Sequence, residues 1–329
     1  MEFRCNNLLV TGGSGFIGSN FIEYILKKYN KLNIINLDYL TYAGDINNTI
    51  LFKENPNYHF VHGSICDSYL LNDIFKKYKI DGIINFAAES HVDNSIKNPK
   101  IFIDTNIMGV FELLKVACNF WMDKNYNLKR EFKHSRYHQI STDEVFGSIN
   151  IGSFVESDKY RPNSPYSASK ASADMLVRSF NKTYGLNTTI SISSNNFGKN
   201  QNKEKFIPKI IDCIKNSLEI PVYGDGNNSR DWISVEENCS AIDIIFNNAK
   251  SGEEYNVGGD NELTNLELIK IISEIMSTDV KINFVEDRMG HDFRYSLKSD
   301  KIKNDLNWYP KNDFKVSLKN YINQEINKL

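Results

Sequence analysis

The octapeptide Thr11-Gly12-Gly13-Ser14-Gly15-Phe16-Ile17-Gly18 lies between a short apolar run, Asn7 to Val10, and a helix-periodic stretch, Phe16 to Tyr29. A strand that turns through glycines straight into a helix opens a βαβ unit. The next apolar run, Asn33 to Leu37, closes that unit and ends on Asp38. The alternation continues with a strand at Tyr58 to His62, a helix at Ser68 to Tyr78 and a strand at Gly82 to Phe86. A helix over Ile101 to Phe120 follows, then a strand at Tyr137 to Ser141. A helix over Tyr166 to Tyr184 and a strand at Thr189 to Ser193 complete the regular part. This order predicts an α/β fold, a doubly wound parallel sheet with right-handed crossovers. Beyond Ser193 the pattern loosens. Residues 1–192 are therefore expected to form a dinucleotide-binding domain, and a segment near 228–256 is a candidate to rejoin it. Residues 193–329 are expected to form mainly a smaller α/β domain on the substrate side of a cleft.

Composition excludes several classes of function. The 329 residues carry a net charge of -2, whereas a nucleic-acid binder usually shows a basic surplus. No apolar run approaches membrane-spanning length, and the opening residues lack a signal-peptide core, so a cytosolic protein is expected. Cys5, Cys66, Cys118, Cys213 and Cys239 are scattered and read as reduced thiols. His134 and His138 have metal-ligand spacing only on a helix, and a predicted strand begins between them, so no metal site is expected.

Glycines at 12, 15 and 18 let the chain turn sharply and approach a pyrophosphate, which then rests on the N–H groups opening the helix. Asp38, twenty residues after Gly18 at a strand end, is placed to accept from a ribose diol. A carboxylate there repels a 2′-phosphate, so the expected cofactor is NAD rather than NADP, in a Rossmann-type domain. The competing reading is a glycine turn followed by an unrelated loop aspartate.

Tyr166 precedes Lys170 by one helical turn. A phenol titrates near 10, so a base working at neutral pH needs a shift of roughly three units, about 4 kcal/mol, which a cation on the same helix face helps supply. Tyr166 then suits removal of a sugar hydroxyl proton while hydride leaves the same carbon. Simple oxidation does not require the neighbouring acids Asp143 and Glu144. Two carboxylates held close split their affinities for a proton, leaving one acid and one base, which suits elimination of water next to a ketone. Thr142 can hydrogen-bond the sugar or the reacting oxygen. The bland alternatives are a surface tyrosine–lysine pair and a turn-forming pair of acids.

The stretches TGGSGFIG, LDYLTYAGD, NFAAESHVDNSI, DTNIMGVFELL, HQISTDEVFG and SPYSASKASADMLV resemble the extended short-chain dehydrogenase/reductase family. With SNNFG, EKFIPK, PVYGDG, SRDWISVEE, YNVGG and DRMGHDFRY the similarity runs nearly end to end. It is nearest to the branch that dehydrates nucleoside-diphosphate glucose at C4 and C6, because STDEVFG carries an acid pair that related epimerases usually lack. The resemblance implies that Asp143 is the acid for the departing C6 hydroxyl, Glu144 the base at C5, and Tyr166 the base for C4 oxidation. Lys170 would hold the nicotinamide ribose and lower the pKa of Tyr166. Hydride would return to C6, so NAD stays bound. Cofactor contacts implied by the match are Gly12, Gly15, Phe16, Ile17 and Gly18, then Asp38, Tyr39, Leu40 and Thr41. Ser64, Ile65, Phe86, Ala87, Ala88, Thr105, Asn196, Tyr166 and Lys170 complete them. Implied sugar-nucleotide contacts are Ser90, Thr142, Asn195, Lys205, Phe206, Pro221, Val222 and Tyr223. To these belong Arg230, Asn265, Asp287, Arg288 and His291. Arg230 and Arg288 suit a diphosphate by their fork geometry, or else an ion pair between domains.

The expected substrate is dTDP-glucose, with UDP-glucose the alternative, and a homodimer is expected through the helices near Ile101–Phe120 and Tyr166–Tyr184. Ser64 stands where the family has an aspartate at the adenine, Lys199 and Met289 replace prolines, and Glu237-Asn238 replaces Asp-His. The segment from Gly147 to Tyr166 is short, which would open the cleft mouth. Two other readings remain: a sugar-nucleotide 4-epimerase, which needs Tyr166 but not the acid pair, and an idle NAD-sensing protein, which would not need the tyrosine and lysine kept here.

Overall fold

A computed structural model describes residues 3–287 and 290–327. Its strands are β1 (Asn7–Thr11), β2 (Asn33–Asp38), β3 (Tyr58–His62), β4 (Gly82–Asn85), β5 (Arg136–Thr142) and β6 (Thr188–Ser193). They continue with β7 (Asn195–Phe197), β8 (Ile220–Tyr223), β9 (Ser229–Ser234), β10 (Glu254–Val257), β11 (Glu262–Thr264) and β12 (Ile282–Val285). The first helices are α1 (Phe16–Lys28), α2 (Ser68–Tyr78), α3 (Val92–Lys97), α4 (Pro99–Phe102) and α5 (Val110–Trp121). Later come α6 (Pro165–Tyr184), α7 (Phe206–Lys215), α8 (Val235–Asn248), α9 (Asn265–Met276), α10 (Asp300–Leu306) and α11 (Phe314–Ile326).

Seven strands form one sheet in the order β10-β6-β5-β4-β1-β2-β3. Every neighbouring pair in it is parallel. The reversal of winding at β1 and β4 makes the switch point where a doubly wound sheet binds its ligand. Successive residues of each strand bury on opposite faces, as the two-residue period requires. Leu8, Val10, Ile34 and Ile84 pack under α1 and α8 with Phe21, Ile25 and Phe246. Leu9, Ile35, Leu37 and Ile83 pack on the other side with Phe75, Leu113 and Trp121 of α2 and α5. Strand β10 is the seventh strand of this sheet, and the helix before it, α8, packs on α1.

The remaining chain builds a smaller lobe around β7, β9 and β11 in one sheet and the parallel pair β8 and β12. Its core joins Phe197, Ile207, Ile211, Trp232, Leu268 and Leu318. A buried guanidinium ties the end of α8 to the main sheet. Arg136 in β5 donates to the carbonyls of Ile245 (3.1 Å), Phe246 (2.7 Å) and Ala249 (2.6 Å), which end α8. His138, two residues on, lies buried between the hydroxyls of Thr189 (2.8 Å) and Ser191 (3.0 Å), and burial holds it neutral with a pKa of about 3.

The helix expected as continuous from Ile101 to Phe120 is instead three pieces. Between α4 and α5 the chain widens into a π-helical stretch, Ile103–Gly109. The Asn106 side chain explains the widening. It accepts from Glu89 N at 2.9 Å and donates to Glu89 O at 3.0 Å and to Ser169 Oγ at 2.8 Å. An inserted residue is tolerated because it turns an amide inward to join the loop after β4 to α6.

Candidate active site

The carboxyl ends of β1, β2, β4, β5 and β6 open into one cleft of about 360 Å³. Gly12 has φ +67, and a Cβ there would meet Ala87 N at 2.7 Å, so only glycine brings the turn this close to the strand beside it. Gly15 caps α1 with no side-chain hydrogen bond, and the first turn of α1 has no acid. The opening N–H groups of α1 therefore face the cleft as an anion cradle. Asp38 closes β2 with Oδ2 accepting from Ser14 N and Oδ1 from Leu40 N, each at 2.8 Å, and burial raises its carboxyl above the usual range. Glycine turn, free helix start and strand-end acid fit a dinucleotide.

Phe16, Ile17, Gly18, Tyr39 and Thr41 line the cleft beside them. Ser64 and Ile65 form its far wall, while Phe86, Ala87, Ala88, Thr105 and Asn196 line its centre. Leu40 does not line it; its left-handed φ of +52 serves the bend after β2. Ser64 Oγ accepts from Cys66 N at 3.1 Å, so this hydroxyl is engaged by its own turn.

Strand β5 ends at Thr142 and passes into a single turn, Asp143–Phe146. Thr142 Oγ1 caps that turn, accepting from Glu144 N at 3.4 Å and donating to Asp143 Oδ1 at 3.3 Å. Asp143 is only 2% exposed and its Oδ2 has no protein partner. Burial first, and the Glu144 carboxylate second, push its pKa well above the usual range, with Arg230 opposing.

Across from this turn, α6 is started by Ser164, whose side chain forms a reciprocal capping box with Ser167, and by Pro165 at the first position. Tyr166 falls in the first turn, buried and edge-on to Phe102 at 6.3 Å. Burial and the nearby Glu144 carboxylate hold its phenol well above the ordinary value, while the Thr142 hydroxyl favours ionisation. The sequence alone predicts a phenol already lowered by Lys170. Burial is the larger influence, and the Lys170 ammonium is itself engaged, its Nζ donating to Ile140 O at 2.6 Å. Burial pushes this ammonium below its ordinary value, and Asp174 opposes that effect.

Ser90 lines the same cleft from the loop after β4, and Asn195, Lys205 and Phe206 line it from the smaller lobe's side. Lys205 Nζ reaches Ser90 O at 3.4 Å, and α7 begins at Phe206 with no side-chain cap and no acid in its first turn. A second anion can therefore rest opposite the first. The other expected sugar-nucleotide residues are not in the cleft lining and gather beyond it. His291 Nδ1 meets Asp287 Oδ1 at 2.6 Å, Tyr223 is 6.1 Å from the His291 ring, and Asn265 N donates to Asn228 O at 3.0 Å. Pro221 and Tyr223 alternate with Val222, which is 1% exposed and packs into the lobe's core, leaving only its backbone for a ligand. Arg230 is buried, stacked on Tyr295 at 4.3 Å, and donates to Ser229 O (2.7 Å), Asp292 O (2.8 Å) and Phe293 O (3.1 Å). The guanidinium is held by carbonyls, and its charge reaches Asp143. Arg288 and Met289 lie outside the described residues.

Several residues in or beside the cleft have no role assigned from the sequence, although most lie within the matching stretches. Tyr42 OH accepts from Ser90 N at 3.4 Å, and His91 Nε2 meets Glu204 Oε2 at 3.5 Å. Glu89 lines the cleft with its carboxyl raised by burial. Gln201 and Trp232 also line it, each with a buried polar atom (Oε1 and Nε1) that no protein group satisfies. A count of buried polar groups finds such residues only once coordinates exist.

A nucleotide cradle beside a Tyr–Lys helix and an acid pair defines a sugar-nucleotide enzyme class, and the chain belongs to the GDP-mannose 4,6 dehydratase family, whose model matches residues 9–321. It is 45% identical over 313 residues to the low-salt glycan biosynthesis protein Agl12 of Haloferax volcanii, covering 95% of this chain and 96% of that protein. It is 42% identical over 327 residues to a dTDP-glucose 4,6-dehydratase of Haemophilus influenzae, covering 95% of this chain and 96% of that one. Among solved structures it is similar to DesIV, the dTDP-glucose 4,6-dehydratase of Streptomyces venezuelae, with NAD and TYD bound. That similarity has a TM-score of 0.91 at 39% identity and covers 98% of this chain and 97% of the other.

Proposed function

We propose that the protein is an NAD-dependent nucleoside-diphosphate-glucose 4,6-dehydratase that acts on dTDP-glucose and makes a 4-keto-6-deoxy sugar nucleotide. One observation carries the reading. Asp143, buried beside Glu144 with an Oδ2 that no protein group satisfies, faces the same cleft as Tyr166 and the dinucleotide cradle. An epimerase has no use for a buried acid at that place.

Gly12, Gly15 and Asp38 would hold NAD, which when bound would accept a hydride from C4 and return that hydride to C6. Tyr166 takes the C4 hydroxyl proton, aided by the Thr142 hydroxyl and the charge of Lys170. Glu144 then removes the proton at C5, which the adjacent ketone has made acidic. Asp143 gives its proton to the C6 hydroxyl as it leaves as water. Two carboxyls held this close split their affinities for a proton, so one can give a proton while the other takes one in a single elimination. The uncapped start of α7, with Lys205, suits the substrate diphosphate.

Residues 1–192, with the segment near 228–256, are assigned to NAD, and the remainder mainly to the sugar nucleotide. Ile101, Ile103, Met108 and Met175 are exposed apolar residues on α4, the π-helical stretch and α6, and they support a homodimer packed through those helices. No helix among the described residues is long and apolar enough to cross a membrane, and a cytoplasmic site is the reading adopted.

The test is to incubate purified protein, without added NAD, with dTDP-glucose and separately with UDP-glucose, and to weigh the products. Loss of one water from dTDP-glucose supports the reading. Loss from UDP-glucose alone reassigns the nucleotide, and a changed sugar of unchanged mass reassigns the enzyme as an epimerase.

A further inference from the structure

Behind the cleft lies a buried carboxylate that the mechanism above leaves unused. Asp174 is on α6 one turn beyond Lys170, is fully buried, and does not line the cleft. Its Oδ2 accepts a short hydrogen bond from Ser141 Oγ and a second from Tyr160 OH at 3.2 Å, while its Oδ1 has no hydrogen-bond partner. Ser141 immediately precedes Thr142, Asp143 and Glu144. Helix α6 therefore grips the end of β5 twice: Lys170 holds the Ile140 carbonyl, and Asp174 holds the Ser141 hydroxyl.

The second grip is itself braced. The Tyr160 ring stands edge-on to Phe146, the last residue of the acid-bearing turn, at 5.1 Å. The Arg178 guanidinium stacks over the other side of Tyr160 at 4.4 Å and forms a two-pronged ion pair with Glu254 of β10. The groups bearing on Asp174 are thus Ser141, Tyr160, Lys170, Arg178 and Glu254. A carboxylate in so dry a place costs free energy unless its acceptor capacity is used. What uses part of it here is the hydroxyl of Ser141, the residue just before the acid-bearing turn.

We infer that Asp174 is a positioning residue, which sets the Thr142–Asp143–Glu144 turn through Ser141 and so governs elimination more than C4 oxidation. The inference rests on the dehydratase reading for its kinetic part and on the fold alone for its structural part. Tyr166 starts the same helix and keeps its place through the Ser164–Ser167 box, so loss of the Asp174 grip leaves the oxidising half largely intact.

The test uses the holoenzyme and three variants, Ser141→Ala, Asp174→Ala and Asp174→Asn. Asparagine keeps an acceptor oxygen for both Ser141 and Tyr160, so it is the rescue. The expected result for Ser141→Ala and Asp174→Ala is a kcat lower by about tenfold with KM little changed, the mark of an interaction that matters after binding. Reduced nicotinamide should accumulate on these two enzymes above the wild-type level, seen by its near-ultraviolet absorbance, and Asp174→Asn should restore wild-type behaviour. Hydrogen exchange by mass spectrometry reads the same claim without turnover: amides 141–146 exchange faster in Ser141→Ala and Asp174→Ala, and at the wild-type rate in Asp174→Asn. Unchanged exchange across these amides, or a kcat loss with no accumulated reduced cofactor, overturns the inference. A wild-type enzyme that removes no water from any sugar nucleotide overturns the dehydratase reading instead, and the exchange result still decides the structural claim.

Discussion

Lys170 reaches from the second turn of α6 to the carbonyl of Ile140 at 2.6 Å, two residues before Thr142. This bond fixes helix to strand, and with it the tyrosine to the acid pair. The phenol of Tyr166 is meanwhile held high by burial and by Glu144. Its activation therefore depends on charge and hydrogen bonds delivered when the cleft is filled, with Thr142 already in place as a donor.

Oxidation and elimination should separate by mutation. Tyr166→Phe is expected to lose turnover by several orders of magnitude and to form no reduced cofactor when substrate is added. Glu144→Gln is expected to oxidise C4 and stall, with reduced nicotinamide standing on the enzyme and no water lost. Absorbance during a single turnover distinguishes them.

Much of this site was legible in the residue order, for physical reasons. A buried parallel strand must be a short apolar run, so the strand ends that carry Gly12, Asp38, Ala87 and Thr142 were marked by where those runs stop. Other features depend on contacts between distant residues. The π-helical widening at Ile103–Gly109 follows from Asn106 meeting Glu89 and Ser169, and periodicity over one turn does not separate it from an α-helix. The inward turn of Val222, the carbonyl grip on Arg230 and the role of Asp174 are likewise set by packing partners far along the chain.

Asp38 should govern cofactor choice. Its carboxylate is fixed by Ser14 N and Leu40 N, so it presents its charge at one place. Asp38→Asn is expected to weaken retention of NAD through purification and to narrow the preference over NADP, measured by reactivating stripped enzyme with each nucleotide.

Lys199 supplies a tie of its own. Its ammonium pairs with Glu23 of α1 at 2.6 Å, and its carbonyl accepts from Asn20 at 2.7 Å. The pair is partly exposed, so Lys199→Ala is expected to cost no more than about 1 kcal/mol, and less in high salt. Thermal unfolding at two ionic strengths checks this, and a loss independent of salt would contradict the ion-pair account.

Burial raises the Asp174 carboxyl to about 6, with Lys170 and Ser141 opposing. Because the folded value lies above the unfolded one, Asp174 contributes stability that is fully present below about 4 and is lost as pH rises through about 6. Asp174→Asn does not titrate. Its melting temperature relative to wild type should therefore rise between pH 4 and pH 7, by an amount worth at most about 3 kcal/mol for a two-unit shift. A relative melting temperature flat across that window, or falling with pH, would show that the carboxylate is not strained by its burial.

The central claim is that one sugar is oxidised, dehydrated and reduced in a single stay on the enzyme. The most direct measurement is to supply dTDP-glucose carrying deuterium at C4, without added NAD, and to locate the label in the product by NMR. A 4-keto-6-deoxy product with the deuterium at C6 is expected, the label having been carried between the two carbons of the same molecule. Deuterium returned to C4 with no water lost would contradict it and make the enzyme an epimerase.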